Sequence, residues 1–140
     1  MYNEEEKNLM DKAREAASHA YSPYSHFKVG AAILTEKGNI YQAANIENAS
    51  YSLTICAERN AATQAVYHND INFKLIAIFV DSEIAFPPCG ACRQFLAEFG
   101  DQCEVIYFNN KESNKVALRE LLPHSFSLKN KEKEGVYGIR

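Results

Sequence analysis

The chain has 140 residues, 46% of them apolar and 24% charged, with a net charge of −3 and a pI near 5.8. That size and balance suit a single soluble domain over residues 1–140 with a real core. They exclude a bilayer-spanning partner role, since no apolar run is long enough, and argue against nucleic acid, whose binders carry a basic face. The polar, acidic start from Met1 to Asp11 lacks the basic residues and apolar stretch of a signal peptide, so a cytoplasmic protein is expected.

In chain order, Asn3 to Tyr21 is predicted helical. Leu9, Ala13, Ala16, Ala17 and Ala20 recur at helical spacing, and Glu4-Glu5-Glu6 suits the positive end of a helix. Ser22-Pro23-Tyr24-Ser25 ends it. Phe27 to Thr35 is an apolar run that reads as a buried strand. Lys37-Gly38-Asn39 is a turn, and Ile40 to Ile46 a second strand, so the two form a hairpin. Cys56 to His68 is a helix with Ala57, Ala61, Ala62, Ala65 and Val66 inward. Leu75 to Val80 is a strand, Cys89 to Phe99 a helix ended by Gly100, and Cys103 to Phe108 a strand. Ala117 to Leu122 is a short helix stopped by Pro123. Lys129 to Glu134 is a charged, solvated stretch, and Val136 to Ile139 is a candidate edge strand. Strands alternating with helices predict an α/β fold, a three-layer α/β/α sandwich on a mixed sheet.

Two short segments carry the chemistry. The first is Thr54-Ile55-Cys56-Ala57-Glu58-Arg59; the second is Pro87-Pro88-Cys89-Gly90-Ala91-Cys92-Arg93-Gln94. Three thiolates fill three corners of a zinc tetrahedron and leave the fourth for water. Both segments open predicted helices, whose N–H groups and dipole favour thiolate over thiol. Glu58 follows Cys56 by two residues and suits general acid/base work beside such a metal. Taken alone it is an ordinary acidic residue of a first helical turn. Arg59 is placed to temper the excess charge of three thiolates on one dication. Arg93 is a weaker candidate for the same task. Cys103, at the head of a buried strand, reads as a core residue. Two bland readings stand beside this one. Cys89 and Cys92 also fit a redox pair, and His19, His26, His68 or His124 would close a purely structural site.

These segments resemble the zinc-dependent cytidine deaminases, in which a His or Cys ligand, a nearby non-ligand Glu and a Pro-Cys-x-x-Cys recur. Cys56 in the first ligand position is similar to the small three-cysteine branch that acts on free nucleosides. The likeness extends to Tyr24–Ala32, Asn45–Tyr51 and Leu121–Phe126. It implies zinc on Cys56, Cys89 and Cys92, with Glu58 as proton shuttle and a zinc-activated water as nucleophile. It also implies that cytidine and deoxycytidine become uridine and deoxyuridine plus ammonia, in pyrimidine salvage. By the same resemblance Phe27 packs on the pyrimidine, Asn45 and Glu47 bind ribose hydroxyls, and the backbone at Ala57 holds the base edge. Tyr51 and Phe126 come from neighbouring subunits of a homotetramer. A deaminase of nucleoside antibiotics and a nucleic-acid editing module are the alternatives. The Asn45–Ala49 loop argues against the first, and the acidic pI and Cys56 against the second.

Overall fold

The computed structural model describes residues 1–129. The strand expected at Val136–Ile139 and most of the charged stretch from Lys129 lie outside them.

Helix α1 spans Glu4–Ala17 and opens on a capping box: Asn3 and Glu6 each accept from the other's backbone N–H, at 2.8 and 2.9 Å. It ends four residues before the predicted Tyr21. The reason is tertiary, because Tyr21 pairs with the chain near Ile46 through Tyr21 N–H to Asn45 O at 3.0 Å and Glu47 N–H to Tyr21 O at 2.8 Å.

Strands β1 (Val29–Thr35) and β2 (Ile40–Ala44) form the expected antiparallel hairpin. Gly38 turns it at φ 89°. Gly30 is needed for contact between layers, since a Cβ there would lie 2.0 Å from the Ala13 carbonyl oxygen and 2.4 Å from the Ala17 nitrogen of α1. Helix α2 (Ala57–Tyr67), strand β3 (Phe73–Val80), helix α3 (Gly90–Gly100) and strand β4 (Glu104–Phe108) follow. Strand β5 (Ser113–Ala117) and the single-turn α4 (Leu118–Leu121) end the described order. The sequence Ser-Asn-Lys-Val-Ala of β5 has no apolar run, so it is missed by patterning; it forms because β4 offers it an antiparallel edge.

The sheet order is β2-β1-β3-β4-β5, with β3 and β4 parallel and every other pair antiparallel. Leu9 and Ala13 of α1 pack on Leu34, Leu75, Phe79 and Phe108 on one face. Ala61 and Ala65 of α2 and Leu96 of α3 pack on Ile33, Ile76 and Val105 on the other. This is the three-layer sandwich on a mixed sheet. Cys103 is buried in the second core, and burial pushes its thiol up to about 12. It is a packing residue.

Candidate active site

Helices α2 and α3 start close together at the carboxyl end of β3, where open α/β sheets place ligands. Cys56 is the residue that caps α2, Cys89 caps α3, and Cys92 lies in the first turn of α3. Their sulfurs all lie within 4.8 Å of one another. A tetrahedral zinc with bonds of about 2.3 Å sets its sulfurs roughly 3.8 Å apart, so the three thiols fit zinc. Among the described residues they are the sole such cluster of His, Cys, Asp and Glu. His19, His26, His68 and His124 stand outside it, so among the described residues none of these histidines closes the site.

The protons in this cluster are unevenly held. A hydrogen bond from Cys92 brings the Cys56 thiol down to about 5, against the opposing effect of burial and with help from Arg59. Cys92 is pushed up, because it keeps the shared proton for Cys56 and is itself buried. A dication would displace that proton. Arg59 donates from Nη2 to the Cys56 sulfur at 3.6 Å. Arg93 serves a different end: Nε donates to Pro88 O at 2.6 Å and Nη1 to Leu121 O at 2.8 Å, tying α3 to α4.

Glu58 is buried on the first turn of α2, only 5% exposed. Burial raises its carboxyl to about 7, and the Cys56 thiolate adds to the rise. It faces a cleft of about 200 Å³ shared with Cys56, Ala57, Cys89, Asn45, Thr54, Val29, Ile78, Val80, Phe86 and Pro87. Ala57 is the first residue of α2, so its N–H has no partner within the helix. A depression of about 240 Å³ between α1 and β2, lined in part by Glu15 and His19, holds no cysteine.

The other expected residues fall into two groups. Asn45 lines the cleft, but its amide is also structural: Nδ2 donates to Phe27 O and Oδ1 accepts from Val29 N–H, each at 2.9 Å. Glu47 is buried beside the Tyr24–Ser25 turn. Its carboxylate accepts from the Ser25 hydroxyl and from the N–H groups of Tyr24 and Ser25 at 3.0 and 3.1 Å. Ser25 foremost holds it below the usual carboxylate range. Phe27 stands at the rim with its ring edge-on to Phe86, 6.3 Å between centroids. Tyr51 and Phe126 are not brought to the cleft within one chain. Tyr51 meets Tyr24 edge-on at 6.0 Å, and the Phe126 carbonyl accepts from Gln94 at 3.0 Å. Sequence reasoning missed Phe86 and Thr54. The signal for both is adjacency, since each stands within three residues of a cysteine ligand.

The comparisons agree with this geometry. A family profile described as the cytidine and deoxycytidylate deaminase zinc-binding region matches residues 3–109. A probable cytidine deaminase of Dictyostelium discoideum is 45% identical over 128 residues, 91% of this chain and 87% of that protein. The cytidine deaminase of Sporosarcina psychrophila is 43% identical over 123 residues, 86% and 90% of the two chains. The crystal structure of a cytidine deaminase from Burkholderia pseudomallei superposes with a TM-score of 0.82 at 39% identity, covering 86% of this chain and 98% of that one.

Proposed function

We propose that this chain, which belongs to the cytidine and deoxycytidylate deaminase zinc-binding family, hydrolyses cytidine and deoxycytidine to uridine and deoxyuridine with release of ammonia. The observation that carries this reading is Glu58, a buried carboxyl raised to about 7, at one cleft with the three-sulfur cluster. Zinc held by Cys56, Cys89 and Cys92 supplies, when bound, a water acidic enough to ionise near neutral pH and a positive charge for the oxygen.

The residues of the chain do the rest. Glu58 accepts a proton from the attacking water and gives it to the ring nitrogen next to the amino-bearing carbon. That carbon becomes electrophilic and takes the hydroxyl. Glu58 then takes the proton of that new hydroxyl and delivers it to the amino group, the C–N bond breaks as the carbon–oxygen double bond forms, and ammonia leaves. The unpaired Ala57 N–H suits the base carbonyl. Asn45 and Glu47 bind ribose hydroxyls, and Phe27 packs on the pyrimidine. Arg59 keeps the sulfurs from over-neutralising the metal. Tyr51 and Phe126 serve the pocket of a neighbouring subunit in a homotetramer, which their exposure in one chain supports.

In this reading residues 1–140 are one catalytic domain of cytoplasmic pyrimidine salvage, with no nucleic-acid partner. Among the described residues no helix is long and apolar enough to cross a membrane. The test is direct. Purified protein is expected to convert cytidine to uridine, followed by ultraviolet absorbance, and to stop with a chelator or with Glu58→Ala. Turnover of blasticidin and none of cytidine would sink the proposal.

A further inference from the structure

Strand β2 lies at the edge of the sheet, so its outward carbonyls have no strand to bond them. Two amide side chains of α2 take that place. Asn60 Nδ2 donates to Ala44 O at 2.9 Å, and Gln64 Nε2 donates to Gln42 O at 3.0 Å. Four helix residues rise about 6.0 Å, and two strand residues span about 6.7 Å, so the two amides match two successive outward carbonyls. The seam continues to His68, whose ring packs on Tyr41 at 5.7 Å.

The two bonds differ in what lies behind them. Neither Gln42 nor the next residue, Ala43, lines the cleft. Ala44 precedes Asn45, which lines the cleft and braces Phe27 and Val29. Asn60 sits two residues after Glu58 on the same helix. A single hydrogen bond therefore spans from the helix that carries the proton shuttle to the strand end that carries the sugar contact.

We infer that Asn60 is a positioning residue that fixes the strand end at Asn45 against the Glu58 helix, and so sets the spacing between the sugar and base contacts. This rests on the nucleoside deaminase reading above. Glu58 and Cys56 ride on the backbone of α2 itself, so loss of the bond disturbs binding more than the chemical step.

The experiment compares Asn60→Ala with Gln64→Ala in the zinc-loaded full chain. Asn60→Ala is expected to raise KM for cytidine about fivefold, the share of one hydrogen bond, with kcat within about twofold. Gln64→Ala is expected to move neither. Amide exchange at Val29, whose N–H is held by Asn45, is read without substrate and should quicken about fivefold in Asn60→Ala alone. Asn60→Asp, which keeps the shape and loses the donor, should repeat that change in exchange. Equal effects of the Asn60 and Gln64 variants, or wild-type exchange in both Asn60 variants, overturn the role. If the wild-type protein fails on cytidine, the activity reading fails while the exchange comparison still decides Asn60.

Discussion

The floor of the cleft and its rim are built to different standards. At the floor Glu58 and Cys92 are buried, Cys56 is half-buried, and each is fixed to the first turn or cap of a helix. At the rim Phe27 and Phe86 are 49% and 46% exposed, and their rings meet edge-on. The floor is complete within one chain and is preorganised, as charge-stabilising chemistry requires. The rim leaves apolar rings in water, an arrangement suited to closure by substrate.

Changes at the floor should therefore be severe and changes at the rim mild. The strongest is Cys92→Ala. It is expected to abolish both zinc binding and turnover, read by metal analysis beside the cytidine assay; retained stoichiometric zinc would show that two sulfurs suffice. Next is Glu58→Gln, which keeps the shape and cannot shuttle a proton. Its kcat should fall about 10²–10⁴-fold with zinc content unchanged.

The floor also predicts a pH effect on the metal-free protein. Glu58 titrates higher in the fold, at about 7, than its ordinary 4.5. Its protonated form is favoured by burial, so its contribution to stability is full below pH 4.5 and is lost as pH rises through about 7. The whole change is about 3 kcal/mol. Thermal melts of metal-free wild type and Glu58→Gln should diverge across that window, with the wild type falling further. Parallel curves would mean that Glu58 is not desolvated.

Milder effects belong to the outer contacts. Glu47→Gln should raise KM for cytidine about tenfold, the size of one charge-assisted hydrogen bond, and leave zinc in place. Phe27→Ala should raise KM by only a few-fold, as an exposed aromatic contact is worth about 1 kcal/mol. A collapse of kcat in Phe27→Ala, measured at saturating cytidine, would place the rim among the groups that do chemistry and erase the contrast.

Much of the floor is legible in the chain because its signals are local. Cys56-x-Glu58-Arg59 and Cys89-x-x-Cys92 each occupy one helix start, and helix starts are announced by periodic alanines and by the turns before them. The rim is less legible. Phe86 has no periodic neighbour, and the amide of Asn45 looks like any loop asparagine until Phe27 and Val29 are folded against it. Strand β5 is invisible for a related reason, since only β4 makes Ser113–Ala117 extended. The helix predicted to run to Tyr21 stops at Ala17 because the pairing of Tyr21 with the chain at Asn45–Glu47 overrides local propensity.

The sequence by itself determined the ligand types, the carboxylate beside them, the helices they open and the layered α/β class, because composition, spacing and periodicity act over a few residues. Tertiary structure alone decided that Cys56 meets Cys89 and Cys92 across some thirty residues of chain, that Glu58 is desolvated enough to hold its proton near neutrality, and that Asn60 bonds the strand end at Ala44. Those facts depend on the packing of α2 and α3 on one face of a sheet whose partners are distant in sequence. Burial and long-range contact exist only once that sheet has formed.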